Sequence, residues 1–63
     1  MNGEEFRNTL DRLGLSIIGA ARMMRVGERT ARRWAAGEQD IPYVVTLLLR
    51  LMLRFEVKPE TLE

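Results

Sequence analysis

The stretch LSIIGAARMMRVGERTARRWAAG, residues 15–37, decides how the chain folds. Ser16 has the side chain that starts a helix, because its hydroxyl can take a backbone N–H of the first turn. Ile17, Ala20, Ala21 and Met24 then recur on one face, the spacing of a buried helix stripe. Val26 and Gly27 break the pattern. A second helix is expected from about Glu28 to Ala36, with Gly37 as its stop. The stretch therefore reads as two short helices, about 16–25 and 28–36, joined by a tight turn.

The second helix has two unlike faces. With Glu28 at 0°, Thr30, Ala31, Trp34 and Ala35 fall between about 200° and 340°, and Glu28, Arg29, Arg32, Arg33 and Ala36 between about 0° and 140°. Small alanines on the first face allow close approach to neighbours, and Trp34 fills the remaining gap. The opposite face is dominated by arginine. From Arg22 to Arg33 there are five arginines and one acid, Glu28, a net charge of +4 in a chain whose total is +1. Positive charge concentrated in this way asks for an anionic partner. The plainer reading is a solvated helix surface, but such surfaces mix signs to gain i,i+4 pairs, and only Glu28–Arg32 has that spacing here.

Outward from this stretch, two more helices are expected. Asn2, with Glu5 three residues on, resembles a capping box. Phe6, Leu10 and Leu13 mark the buried face of the helix that follows, and Gly14 suits its left-handed end. After the loop GEQDIP, with Asp40 near the cap and Pro42 in the first turn, a fourth helix is expected from about Pro42 to Phe55. Lys58-Pro59 ends the regular pattern, leaving room in PETLE for one further turn, a fifth short helix. The expected fold class is all-α: one compact domain over residues 1–63 with four or five helices.

Composition narrows the function classes. A domain of 63 residues buries only about 60% of its unfolded surface and is marginally stable unless helices pack well or chains associate. No cysteine is present, so no disulfide helps, and without histidine the common zinc ligands are missing. No nucleotide-binding glycine pattern occurs, and Glu4 and Glu5, adjacent on a helix, point apart, so no catalytic residues are assigned. No cofactor, metal or small-molecule ligand is expected. The sequence predicts no signal peptide. The apolar run 41–55 is short and interrupted by Arg50 and Arg54, so neither a membrane span nor a membrane partner is expected, and the predicted location is the cytoplasm.

Residues 15–37 resemble the helix-turn-helix unit of the Cro/lambda-repressor-like (xenobiotic-response-element type) family of DNA-binding regulators. The likeness rests on Ser16, Ala21, Met24, Val26, Thr30, Trp34 and Gly37, with the flanking helices where the family has them. It implies double-stranded DNA as partner, read in the major groove by residues of the second motif helix. Those positions are Glu28, Arg29, Arg32 and Arg33. Arginine suits the task because its planar fork can donate two bonds to guanine, and nine of the ten basic residues are arginine. Arg29 and Arg33 are the expected base readers. Arg32 can meet a base or a phosphate, and Glu28 can accept from cytosine or simply stabilise the helix N-terminus. Phosphate contacts are expected from Ser16, Arg22, Arg25 and Thr30, the last also a packing residue. The family's turn usually has glycine where Arg25 stands, glutamine where Ile17 stands, and a more basic loop than GEQD. Arg22 and Arg25 are positioned to replace the contacts so lost.

The fourth helix suggests a second chain. With Tyr43 at 0°, Tyr43, Thr46, Arg50 and Arg54 share an arc of about 80°, and Val, Leu, Met and Phe cover roughly 240°. That is more apolar surface than one small domain covers, so a homodimer is expected, with Val45, Leu49, Met52, Leu53 and Phe55 at its interface. Phe55-Glu56-Val57 alternates and can add a short strand across it. Two motif units would suit an inverted repeat and a repressor of the chain's own promoter. The chain's length and the run IPYVVTLLLRLM also resemble short phage and mobile-element regulators, including those beside anti-CRISPR genes. The alternative is a protein-interaction module, such as an antitoxin that holds a partner protein with this helix.

Overall fold

A computed structural model describes residues 1–55, which are all-helical: α1 (Gly3–Leu13), α2 (Ile17–Met24), α3 (Glu28–Ala36) and α4 (Tyr43–Arg54). The further turn expected in PETLE and the strand expected over Phe55-Glu56-Val57 fall wholly or partly outside the described residues. No helix among those described is long and apolar enough to cross a membrane.

The first two helices begin as their cap residues dictate. Asn2 Oδ1 accepts the Glu5 N–H at 2.8 Å, and Ser16 Oγ accepts the Gly19 N–H at 2.9 Å, satisfying donors that a helix start leaves open. The fourth helix begins one residue later than expected. Pro42, at ψ 142°, is its N-cap rather than part of its first turn, and no side chain caps it. Asp40 lies two residues before that cap and is exposed. The first three helices all end alike. Gly14, Arg25 and Gly37 adopt the left-handed conformation, and each end closes with paired 6→1 and 5→2 hydrogen bonds, as in Val26 N–H to Ala21 O and Arg25 N–H to Arg22 O.

One cluster forms the core: Phe6 and Leu10 from α1, Ala20 and Ala21 from α2, Ala31, Trp34 and Ala35 from α3, and Leu49 and Met52 from α4. Alanines at the α2–α3 contact let those helices approach closely, and Phe6 meets Trp34 edge-on with ring centroids 5.9 Å apart. Helix α1 packs against the other three, and α4 is held mainly by α1. Two contacts here were not anticipated. Gly3 is buried where a Cβ would lie 2.7 Å from the Ala35 carbonyl oxygen and 2.9 Å from the Gly37 nitrogen. One turn on, the Arg7 guanidinium donates to the same Ala35 carbonyl, placing a cation on the negative end of α3.

The face that α4 turns inward corrects the sequence reading. Thr46, Leu49 and Met52 are buried and Val45, Leu48 and Leu53 half-buried, so the inward stripe includes Thr46 and the expected interface residues Leu49 and Met52 belong to the core. Thr46 is apolar enough through its methyl group to sit there, which rotates the helix away from the orientation its hydroxyl suggested. Val44, Leu47, Leu51 and Phe55 are exposed instead. An apolar surplus on α4 is present, on a set that keeps Phe55 and otherwise differs from the one expected.

Substituting Gly3→Ala should lower stability by about 1–3 kcal/mol, the usual effect of forcing a methyl group into closed packing. Urea unfolding followed by Trp34 fluorescence measures it. An unchanged midpoint would mean that α1 shifts off α3 without loss.

Candidate nucleic-acid interface

Helix α3 divides as its sequence directs. Ala31, Trp34 and Ala35 are buried, Thr30 is half-buried, and Glu28, Arg29, Arg32, Arg33 and Ala36 are exposed. The buried face fixes how the helix is rotated about its axis, through Trp34 against Phe6. Its C-terminal end is held by Gly3 and Arg7 of α1, and its N-terminal end by a three-residue turn from α2. The outward side chains thus project from a helix anchored at both ends and along one side, as a site that must hold its geometry requires.

The charge on this surface is almost unopposed. Among the described residues the one ion pair is Arg32 Nη2 to Glu28 Oε2, at 3.9 Å and exposed on both sides. Such a pair contributes no more than about 0.5 kcal/mol and is screened by salt. Arg22, Arg25, Arg29 and Arg33 have no carboxylate partner among the described residues. All five arginines are exposed. Arg22 is in the last turn of α2 and Arg25 in the turn itself, directly ahead of α3.

The other expected contacts are more dispersed. Ser16 is exposed at the far end of α2 from Arg22, roughly 10 Å along the helix, with its oxygen engaged in capping. Thr30 lies on the shoulder between the arginine face and the core. Arg29, Arg32 and Arg33 with Glu28 share the outward face of α3, Arg22 and Arg25 precede that helix in α2 and the turn, and Ser16 stands at the opposite end of α2. Glycine at the α3 cap makes no side-chain bond, and no acidic residue except Glu28 sits in the first turn.

A second surface lies on α4. Val44, Leu47, Leu51 and Phe55 are 75%, 41%, 49% and 64% exposed and fall within an arc of about 80°. Arg50 and Arg54 run along its border, exposed, and the Arg54 guanidinium lies 5.5 Å from the Phe55 ring centroid. Of the residues expected at an interface, Phe55 is on this surface, whereas Val45 and Leu53 lie half-buried on the inward side of the helix and Leu49 and Met52 are inside the core. The helical pattern carried the signal that too much of α4 is apolar; only the partner contacts of α1 decide which part is left over.

The chain matches no protein-family model, no curated protein and no solved structure.

Because its pair with Arg32 is exposed, Glu28→Gln should change unfolding free energy by less than about 1 kcal/mol, most of it from the α3 dipole. Urea titration of both proteins checks this. A larger loss would make Glu28 a structural residue and remove it from the candidate surface.

Proposed function

We propose that this protein is a helix-turn-helix regulator of the Cro/lambda-repressor-like type, which binds double-stranded DNA sequence-specifically and represses transcription as a homodimer in the cytoplasm. The observation that carries the reading is the one-sided arginine face of α3, on a helix whose other side is locked into the core. In the reading, α3 enters the major groove. Arg29 and Arg33 donate forked hydrogen bonds to guanine, each pair worth about 1–3 kcal/mol of discrimination. Arg32 and Glu28 contact the neighbouring bases or the backbone, and Arg22, Arg25, Ser16 and Thr30 meet phosphates.

The exposed apolar face of α4 supports the dimer. A twofold pair joined there presents two copies of α3, suited to half-sites about 34–36 Å apart in an inverted repeat. In this reading the regulator responds to its own concentration by covering its own promoter. The same α4 face favours a second reading, in which the chain is an interaction module that holds a different protein, as an antitoxin does.

Selection of bound duplexes from a random pool, then anisotropy titration of the winner and a scrambled control at several salt concentrations, tests the first reading. Convergence on an inverted repeat with steep salt dependence is expected. A pool that never converges would overturn it. In the same assay Arg29→Ala should weaken the selected duplex at least about tenfold and the scrambled one far less; equal losses would make Arg29 a phosphate contact. For the dimer, Leu51→Glu should leave far-ultraviolet circular dichroism unchanged while sedimentation shifts from dimer to monomer. Wild type sedimenting as a monomer at micromolar concentration would remove the homodimer and favour the second reading.

A further inference from the structure

Three helix ends in this chain use the same device, and one uses it at a disadvantage. Gly14, Arg25 and Gly37 have φ of 72°, 56° and 76°, and the backbone bonds around all three match. Glycine enters that conformation without steric penalty, whereas a residue with a Cβ is strained there. Arg25 is the single non-glycine residue with positive φ among those described.

Nothing inside the protein compensates. Arg25 is exposed, and its guanidinium has no ion-pair or hydrogen-bond partner among the described residues. The exposed side chains nearest it in sequence on either side, Arg22 and Glu28, include no partner for it, and Arg29 follows in α3. The backbone, by contrast, is closely fixed. The Arg25 N–H is bonded to Arg22 O at 3.2 Å, the next N–H to Ala21 O at 2.9 Å, and Val26 packs against the core. The guanidinium therefore leaves the surface from a point set by α2 and α3 together, at the N-terminal end of the arginine face.

We propose that Arg25 is a clamp for a DNA backbone phosphate, kept in a strained turn so that a cation stands at the junction of α2 and α3, at the expense of fold stability. This rests on the DNA-binding reading and adds to it a cost and a position. Strained residues persist only where the surrounding structure over-determines them, and they cluster at binding and switch sites. The clamp fixes where α3 lies along the groove without reading sequence, as phosphate contacts do.

The experiment compares Arg25→Gly, Arg25→Asn and Arg25→Lys with wild type, in thermal unfolding and in salt-dependent anisotropy on selected and scrambled duplexes. Glycine and asparagine both tolerate the left-handed conformation and lack the charge. Arg25→Gly should raise the melting temperature, by about 4–8 °C if a full kcal/mol of strain is relieved, with a smaller rise for Arg25→Asn. Both should weaken the two duplexes alike, on the order of tenfold, and lower the slope of log K against log salt by about 0.9. Arg25→Lys should keep the slope and the wild-type melting temperature. If Arg25→Gly binds with unchanged affinity and slope while wild type binds DNA, the clamp is wrong and the DNA reading stands. If Arg25→Gly melts no higher than wild type, the turn carries no stability cost and the trade is wrong. If wild type binds no duplex at all, the DNA reading and the clamp fail together.

Discussion

The edge-on contact of Phe6 with Trp34 joins the two halves of this small protein. It brings α1 against α3 within the core, and the rest of the α1–α3 seam follows from that approach. With the rings at 5.9 Å, the start of α1 passes so near the end of α3 that only a glycine fits at position 3. Arg7 then lies over the last carbonyls of α3 and offsets their partial negative charge. Since α1 also covers α2 and α4, a change that moves α1 loosens every other helix. The rotation of α3, and so the direction in which its arginines project, is a consequence of core packing on its far side.

This economy has a limit. One central helix can cover three others only on one side each, and α4 meets little except α1. Its outer apolar residues are left in water, where burying a single leucine-sized side chain would contribute about 1.5–3 kcal/mol. In a domain of 63 residues without disulfides that is a large share of the total stability available. The Trp34 indole N–H, buried without a hydrogen-bond partner among the described residues, is a further cost of about 1–3 kcal/mol. Both features leave stabilisation unrealised in the isolated chain.

Much of this was legible in the residues and some was not. Helix positions were readable because Asn2, Ser16, Gly14 and Gly37 act locally: each caps or stops a helix through bonds to residues within five positions. The two faces of α3 were readable because its polar and apolar residues are sharply segregated at helical spacing. The inward face of α4 was not, because nearly all of that helix is apolar and the periodic signal is weak. Thr46 was taken for a surface residue, yet the neighbour that covers it, α1, is some forty residues away in sequence. Gly3 and Arg7 were missed for the same reason. Their partners at Ala35 and Gly37 come together only when the chain has folded.

The proposed activity links the two surfaces by mass action. In that proposal a single α3 would reach only a few base pairs, and its unopposed arginines would bind any duplex through phosphate. Discrimination between one site and many competing ones then depends on two copies engaging together, where the second binds at high effective concentration. If the contact between copies is the exposed face of α4, the occupied fraction of a paired site rises with the square of chain concentration wherever monomer predominates. A weak dimer thereby sharpens the response of the site to the amount of protein present. The same apolar residues that leave the monomer marginal would then set the concentration at which it acts, so that stability and regulation are governed by one helix face.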